Sequence, residues 1–315
     1  MEPPPAITLA IPTYNRAALL RQTLECVARQ DLDPASCEVL VIDNNSRDDT
    51  AAVVASFACA RHAPRHVLET RQGLDHARNR AIAEARGAII VFADDDILAE
   101  PGWLRELTAP LAADRAGHIG AVGGEVIPVF PDGLPAWLDG AHRPLAFRPD
   151  AGPLGPAQVP MGANMAFPAR VFAAHGGFTT ALDRQGKALF SGGDGEMIRR
   201  LRAAGLEIWF APAGAVRHQM PASRLTFHYA TRHAFDSARS RVVDRTGFPP
   251  GPGGPPFGYL SSRFAANIAK AAAFALAALF QAVLLQTGPA RKSLVRAWRS
   301  CGYLYQIPRS LFGKL

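Results

Sequence analysis

The sequence predicts an α/β fold, in which a mostly parallel, Rossmann-like sheet carries helices on both faces and is followed by a helical C-terminal tail. In the first hundred residues, short apolar runs alternate with helical patterns, which is typical of successive βαβ units. Hydrophobic residues make up 48% of the 315 residues, so the chain can bury a large core and is not predicted to be disordered.

Apolar runs bounded by turn residues are predicted as strands, and the stretches between them as helices. The early strands are 7–11, 39–42, 66–68 and 88–92, and the early helices are 17–29, 50–60 and 74–86. After residue 115 the alternation becomes less regular. The later elements are a strand at 119–128, helices at 171–175 and 196–204, and two separate strands at 207–210 and 215–216.

The composition divides the chain into three parts. Residues 1–246 carry the strand and helix patterns of a folded domain. At 247–257, nine of the eleven residues are Gly or Pro, a composition that predicts a linker. Residues 258–315 are predicted to form a basic, partly apolar helical tail.

The net charge of +7 is concentrated in the tail. Residues 246–315 hold eight Lys or Arg and no acidic residue, so the preceding part is close to neutral. This distribution favours contact with an anionic surface and argues against a nucleic-acid partner, which would require basic residues on the folded face.

The four cysteines are far apart, and we see no secretory signal. We therefore expect a cytoplasmic protein, with the inner face of the plasma membrane as the place where its tail acts.

Three adjacent carboxylates, Asp94, Asp95 and Asp96, follow the apolar run at 88–92. A hard cation relieves their mutual repulsion, and oxygen ligands suit Mg²⁺ or Mn²⁺. The alternative is a solvated acidic turn before a helix that begins near Gly102, since helix N-termini attract acidic residues.

These carboxylates belong to an ordered series of motifs. In chain order the motifs are PTYN at 12–15, DNNS at 43–46, GLDHARN at 73–79, DDD at 94–96, GANMAF at 162–167, GGF at 176–178, GGDGEM at 192–197 and VRH at 216–218. The series extends over about residues 6–240 and resembles the inverting family-2 glycosyltransferases of the GT-A type, of the kind that assembles bacterial polysaccharides. The resemblance implies that residues 1–246 form a GT-A catalytic domain that uses a nucleotide diphosphate sugar.

The resemblance also implies a set of residues that bind the donor: Pro12, Tyr14, Asn15, Asp43, Asn45, Arg71, Gly73, Arg78, Asp94, Asp95 and Asn164. The first three would lie beside the nucleobase, and Asp43 would bond the base or ribose. Read on its own, the segment from Asp43 suits an Asx turn equally well. Arg71 and Arg78 would supply positive charge near the diphosphate, although Arg78 equally suits an exposed helix face. Asn164 would face the diphosphate or the acceptor.

The remaining implied roles are the metal ligands and the general base. Asp94, Asp96 and His218 would hold Mn²⁺ or Mg²⁺, with Asp95 pointing away between the two aspartates. A lone histidine at a strand end is otherwise more often structural. Asp194 would take the proton of the acceptor hydroxyl, or would simply cap the helix that follows it. Family members usually have Glu-Asp here, whereas this chain has a glycine before Asp194, which leaves the role of that glutamate open.

The expected partners are a donor with UDP as the favoured nucleotide and a saccharide or lipid-linked acceptor. Two alternatives are a retaining GT-A enzyme and a non-catalytic sugar-binding or membrane-recruitment protein on a GT-A scaffold. The presence of both the DDD cluster and Asp194 favours catalysis. A dinucleotide oxidoreductase is disfavoured because no G-x-G-x-x-G follows the first strand.

In the tail, residues 271–285 are apolar except for Gln281. Such a helix spans about 22 Å, less than the roughly 30 Å hydrocarbon core, so a transmembrane helix is not predicted. Extended upstream, the helix carries Arg263, Asn267, Lys270 and Gln281 in a narrow polar stripe, which is typical of a helix at a membrane interface. The alternative is a helix that packs on the catalytic domain or in a dimer.

Overall fold

The computed structural model describes residues 4–140, 142–183, 189–190, 192–246 and 257–312. Its contacts form two compact units. The sheet unit comprises Met1–Val129, Arg143–Thr180 and Gly193–Gln219, and the helical unit comprises Phe130–His142, Ala181–Gly192 and Met220–Leu315. Residues 220–246 are thus grouped with the tail helices. The predicted linker at 247–257 lies outside the described residues except for Phe257.

The sheet unit is built on one sheet of nine strands. The strands are β1 (Ile7–Thr13), β2 (Cys37–Asp43), β3 (Pro64–Leu68), β4 (Ile89–Ala93), β5 (Ile97–Ala99), β6 (Ile119–Val129), β7 (Gly152–Pro153), β8 (Asn164–Pro168) and β9 (Glu207–Gln219). Their order is β3-β2-β1-β4-β8-β6-β9-β5, and β7 pairs with β9. Strands β1 to β4 are parallel to their neighbours within that group, and β6 is parallel to β9. Strand β8 runs antiparallel to both β4 and β6.

Six helices cover the two faces of this sheet. They are α1 (Ala17–Val27), α2 (Thr50–Ser56), α3 (Leu74–Glu84), α4 (Trp103–Ala113), α5 (Ala169–His175) and α6 (Gly193–Ala203). Alternate residues of β1 point to opposite faces: Leu9 and Ile11 pack with α1, α2 and α4, whereas Ala10 packs with α3, α5 and α6. Because β1 is buried on both faces, it reads as a continuous apolar run. The predicted α/β fold is confirmed.

The prediction of two separate strands at 207–210 and 215–216 is wrong in one respect, because these residues belong to a single strand, β9. Pro212 and Gly214 interrupt the apolar pattern and suggested a break. The structure accommodates them in an irregular register, in which Gly124 and Val126 of β6 pair with Ala211 and Val216 of β9. This continuity carries the chain on to His218 at the end of β9.

The helical unit contains three long helices, α7 (Phe227–Thr246), α8 (Phe257–Val283) and α9 (Thr287–Leu311). Helices α7 and α9 approach closely at Gly302, where an added Cβ would lie 2.2 Å from the Phe235 carbonyl oxygen. Helix α8 is long and apolar enough to cross a membrane by length and composition, and 11% of its most apolar window is buried. Its 27 residues span about 40 Å, so the length of about 22 Å expected from residues 271–285 was too short.

The polar stripe predicted on α8 does not face solvent throughout. Asn267 is buried, and the side chain of Gln281 is hydrogen-bonded at 2.8 Å to Ser293 of α9. The exposed side of α8 is instead apolar and includes Leu276, Leu279 and Val283, which are 64–72% exposed. The stripe therefore identifies residues that share a face, part of which packs on α9.

Candidate functional site

The three aspartates lie in the sheet unit between β4 and β5. Strand β5 pairs antiparallel with β9, in a register that sets Ile97 opposite His218. The His218 Nε2 atom consequently lies 3.0 Å from Asp96 Oδ1 and 3.7 Å from Asp94 Oδ2. One ligand atom from each of these three residues falls within 4.8 Å of the others.

This group fits a divalent cation by its chemistry. Two carboxylates and one imidazole suit Mn²⁺ and are tolerated by Mg²⁺, which prefers oxygen ligands and keeps several waters. Asp96 is fully buried, whereas the Asp94 side chain is 32% exposed and leaves the group open on one side. A cation here would relieve the repulsion between two carboxylates that the backbone holds close together.

Asp95 faces a different set of partners, and its assignment to the donor-binding set is corrected. It is 3% exposed, and its two carboxylate oxygens accept hydrogen bonds from Thr13 Oγ1, at 2.7 Å, and from Arg16. Burial raises the pKa of the Asp95 carboxyl, while the charge of Arg16 acts in the opposite direction. Both oxygens of the Asp95 carboxylate are thus used within the protein, where they fix the end of β1.

Arg16 was missed by the sequence analysis. Its guanidinium bonds Asp95 and also lies 2.8 Å from Asp96 Oδ2, so it bridges two of the three aspartates. The pKa of Arg16 is raised: burial lowers it, but the nearby aspartates, Asp95 first among them, outweigh that effect. The position of Arg16 in the sequence could have indicated this role. Arg16 follows PTYN at the carboxyl end of β1, and β1 pairs with β4, the strand that leads into the aspartates.

The predicted nucleobase residues lie at the end of β1. Pro12 is buried within the strand, whereas Tyr14 is 45% exposed and its ring is accessible. Asn15 has a positive φ of 52°, and its side-chain oxygen accepts a hydrogen bond of 2.7 Å from the Arg47 backbone N–H. This bond ties the loop after β1 to the loop after β2.

The loop after β2 is a turn organised by Asp43. The Ser46 N–H donates to Asp43 Oδ1 at 2.8 Å, and His66 Nε2 lies 3.0 Å from Asp43 Oδ2. Asn45 has a positive φ of 64°, as turns of this kind allow. The Asx-turn alternative is therefore present in the structure, and His66 is a partner of Asp43 that the sequence did not indicate.

Asn44, which the sequence analysis did not single out, holds the loop that carries Arg71 and Gly73. Its amide nitrogen donates to the backbone oxygen of Arg71 at 2.7 Å, and its amide oxygen accepts from the Gly73 N–H at 2.7 Å. Arg71 pairs with Glu69 at 2.8 Å while its side chain is 65% exposed. Gly73 has a φ of +143°, which suits glycine at this turn into α3.

Asp194 lies in the first turn of α6 and is bound from two sides. Its Oδ1 accepts a hydrogen bond from Arg78 at 2.8 Å, and its Oδ2 accepts one from the Gly162 N–H at 3.0 Å. Arg78 also bonds Asp75 at 3.1 Å and is buried, so its alternative as an exposed helix residue is wrong. Burial opposes the charge of Arg78, but the carboxylates of Asp194, Asp75 and Asp94 raise its pKa.

Two glycines are required by the close packing around this ion pair. A Cβ on Gly162 would lie 2.3 Å from Arg78 Nη2 and 2.5 Å from Asp194 Oδ1. A Cβ on Gly193 would lie 2.5 Å from Asp75 Oδ2. The absence of a glutamate at position 193 thus has a local reason, because the Asp75 carboxylate occupies the space that its side chain would need.

Asn164 points into the protein interior, and its expected contact with the diphosphate or the acceptor stays a prediction. The residue is fully buried at the start of β8. Its side-chain oxygen accepts from Trp103 Nε1 at 2.9 Å, and its side-chain nitrogen donates to the backbone oxygens of Gly214 and Glu125 at 2.7 and 3.1 Å. These bonds join α4, β6, β8 and β9 beneath the site.

Comparisons with known proteins identify the family and the fold of the chain. Residues 8–175 match the sequence model of glycosyl transferase family 2. Glycosyltransferase AglE of Haloferax volcanii is 32% identical over 130 residues, which are 41% of this chain and 42% of AglE, so the chain spans less than half of that relative. The glucosyl-dolichyl phosphate glucuronosyltransferase of the same organism is 24% identical over 76% of this chain and 77% of that protein.

A solved structure shares the fold over the whole chain. The mannosyltransferase PcManGT from Pyrobaculum calidifontis, in complex with GDP-Man and Mn²⁺, aligns with 99% of this chain and 89% of its own, with a TM-score of 0.62 and 23% identity. This similarity supports the GT-A fold that the motif series implied. Since the matched family segment, residues 8–175, covers more than half of the 315 residues, the protein belongs to glycosyl transferase family 2.

Proposed function

We propose that this protein is a metal-dependent, inverting glycosyltransferase that moves a sugar from a nucleotide diphosphate sugar to a hydroxyl acceptor. The observation that carries the proposal is the pairing of Asp194 with Arg78, whose charge is also stabilised by Asp94 of the carboxylate–histidine group. The candidate base thus bonds a buried arginine that is near enough to Asp94 of the candidate cation site for the two charges to interact.

The candidate cation ligands are Asp94, Asp96 and His218, and the ion is Mn²⁺ or Mg²⁺. When bound, such an ion neutralises charge that develops on the departing diphosphate. Arg16 holds Asp96 from the side away from His218, through a different carboxylate oxygen. The protein thus fixes the ligand geometry before any ligand arrives, which is the form of preorganisation that electrostatic catalysis requires.

Donor recognition is assigned to the loops after β1, β2 and β3. The exposed ring of Tyr14 is suited to stacking on a base, and the Arg71 guanidinium is accessible to phosphate or base oxygens. Asp43 and Asn45 shape the loop between them, and Pro12 and Gly73 set the backbone at its borders. We retain UDP as the favoured nucleotide from the motif resemblance, while the structurally similar PcManGT was solved with GDP-Man.

Asp194 is assigned as the general base of a single displacement. The acceptor oxygen forms a bond to the anomeric carbon as that carbon's bond to the phosphate oxygen breaks. The nucleoside diphosphate leaves with the electron pair, and the acceptor proton passes to an Asp194 carboxylate oxygen. Its ion pair with Arg78 and its hydrogen bond from the Gly162 N–H hold the Asp194 carboxylate in one orientation, as a positioned base requires.

The acceptor is proposed to be a saccharide or lipid-linked hydroxyl, used in cell-surface polysaccharide or glycolipid synthesis at the cytoplasmic side of the membrane. Two observations support this placement. A relative matched over 77% of its length is named for a dolichyl phosphate substrate, and α8 exposes an apolar face. Contact between that face and the membrane is part of the proposal.

The test is a donor screen with product analysis. Purified protein is incubated with UDP-, GDP- and dTDP-sugars, with and without Mn²⁺, and the anomeric configuration of the product is read by NMR. We expect metal-dependent turnover of one donor class with inversion. A product that retains the donor configuration would establish a retaining enzyme, and donor binding without turnover on any acceptor would favour a non-catalytic sugar-binding protein.

A further inference from the structure

The helical unit contains a groove of about 310 Å³ that none of the proposed catalytic residues lines. One wall is the short turn Ala136–Leu138 with the loop that follows it, and the other wall is α9. Trp137 is fixed at this wall by an edge-on contact with Phe227, with ring centroids 6.0 Å apart. Gly288 of α9 lies against it, since a Cβ there would be 3.8 Å from Trp137.

Three cations line the α9 side of this groove, which we call the basic groove. Lys292, Arg296 and Arg299 are four and seven residues apart, so they share one face of the helix. Among the described residues that line the groove, Asp139 is the only acidic one, and it uses its backbone oxygen to accept from Lys292 Nζ at 2.9 Å.

The groups that face the basic groove from neighbouring elements add to its positive charge. Arg241 of α7 is close enough to Arg299 to act on it, as is Arg296. The pKa of Arg299 lies below its ordinary value because the guanidinium is partly buried and because these two cations repel it. An anion placed among these groups would relieve that repulsion, and the planar guanidinium forks match phosphate oxygens.

The same unit carries the exposed apolar face of α8. Ile268, Leu276, Leu279, Phe280 and Val283 lie on one side of this helix and are 52–72% exposed. Arg296 also contacts α8, because its guanidinium carbon lies 5.8 Å from the ring centroid of Phe274, on the side of α8 that packs on α9. A membrane lipid supplies a phosphate for the groove and acyl chains for the apolar face of the same unit, whereas a phosphate dissolved in water supplies a ligand for the groove alone.

We propose that the basic groove binds the phosphate or diphosphate group of a membrane lipid, with Arg296 and Arg299 as its principal contacts and Trp137 as a wall. This inference rests on the proposed function in one respect, since the lipid-linked acceptor is the source of phosphate that we commit to. Binding to a flat anionic surface does not require a groove. Three cations on one helix face that line a groove are instead suited to a single phosphate group.

The experiment measures binding of the full-length protein to nanodiscs of three compositions, in the absence of any sugar donor. The discs contain neutral phosphatidylcholine alone, phosphatidylcholine with phosphatidylglycerol, or phosphatidylcholine with a polyprenyl phosphate at the same total charge. We expect the polyprenyl phosphate discs to bind most tightly. Inorganic pyrophosphate, titrated in solution, is expected to bind more weakly than these discs.

Two double variants with equal loss of charge locate the interaction. In R296Q/R299Q the basic groove loses two cations, and in R263Q/R291Q two exposed arginines outside the groove are removed. We expect the groove variant to lose about tenfold or more in affinity for polyprenyl phosphate discs, and the control to change by less than about twofold. Circular dichroism melting checks that each variant is folded, and R299Q alone replaces the double variant if that one unfolds.

Three results would overturn the proposal. Equal losses in the two double variants, or equal affinity for phosphatidylglycerol discs at the same charge, would mean that only diffuse surface electrostatics is at work. Pyrophosphate binding as tight as disc binding would indicate a site for soluble phosphate. Because no donor is present, a protein that lacks transferase activity can still pass this test, so the two proposals fail separately.

Discussion

Replacing Asp194 by asparagine isolates the proposed base from the ion pair in which it takes part. The asparagine oxygen can still accept from Arg78, and little volume changes. What is lost is one negative charge beside a buried arginine and the proton acceptor itself. The matched control is Asp75→Asn, because Asp75 bonds the same guanidinium at 3.1 Å and is also a carboxylate.

The structure sets the expected magnitudes. Arg78 has two carboxylate partners, at 2.8 and 3.1 Å, so each variant leaves one of them in place. A hydrogen bond to a charged group contributes about 1.5–3 kcal/mol, and an amide retains part of it, so each variant should cost about 1–2 kcal/mol of stability. The kcat of Asp194→Asn should fall by roughly 100-fold or more, the contribution of a positioned base. Asp75→Asn should lower kcat by about tenfold, the effect of one weakened positioning contact.

The assay follows kcat against pH for both variants, together with donor affinity by calorimetry and thermal melting. The kcat of Asp194→Asn should stay low across the pH range, because no carboxylate remains at that position to accept the proton, while Asp75→Asn should keep the shape of the wild-type profile. Donor affinity should stay near the wild-type value in both. If the two variants showed the same kcat and the same profile, Asp194 would be a structural partner of Arg78 and not the base.

Three further changes test the donor and cation sites. Asp96→Ala should abolish Mn²⁺-dependent donor binding and transfer, and full turnover of the wild type in excess EDTA would contradict this role. Gly162→Ala should lower kcat by about 10–100-fold with the fold retained, because its Cβ would lie 2.3 Å from Arg78 Nη2 and displace Asp194. Gly155→Ala is its control, since the nearest side-chain atom there is at 3.4 Å, and equal activities would refute the argument. Tyr14→Ala should raise the KM for donor about tenfold with kcat unchanged, the loss of one base-stacking ring, whereas Tyr14→Phe should retain the wild-type KM.

The sequence predicted the sheet edge at which the site lies more reliably than the direction of each side chain. The resemblance of the motif series grouped Asp94, Asp96 and His218, and the structure places one ligand atom of each within 4.8 Å of the others. Asn164 belonged to the same motif series but turns inward. Whether the first residue of a strand points to the edge or the core depends on its pairing register, and the register of β8 against β4 and β6 involves residues far apart in the sequence.

The same limit applies to the tail. The spacing of Asn267 and Gln281 showed that they share a face of α8, and the structure agrees. A helical wheel does not show what that face meets. On the polar face, the Gln281 side chain is hydrogen-bonded to Ser293 of α9. The apolar face is exposed. The length of α8 was underestimated for a related reason. Arg263 and Lys270 interrupt the run of apolar residues in the sequence, but they do not interrupt the helix.

Two arginines, the partly buried Arg16 and the buried Arg78, explain why so acidic an edge is stable before ligands bind. Arg16 lies between Asp95 and Asp96, and Arg78 lies between Asp75 and Asp194. Arg16 thus compensates two adjacent carboxylates of the turn between β4 and β5. Arg78 compensates carboxylates on α3 and α6 and fixes these two helices relative to one another.

The two arginines do not neutralise all of the carboxylates at this edge, and the remaining negative charge affects how the nucleotide sugar binds. Asp75, Asp94, Asp95, Asp96 and Asp194 are five carboxylates against the two arginines, so the edge keeps an excess of negative charge that would repel a diphosphate. A divalent cation beside Asp94, Asp96 and His218 offsets most of that excess. The nucleotide sugar should therefore bind together with the cation or after it, and binding of free nucleotide in EDTA should be weak even in a protein whose site is fully formed.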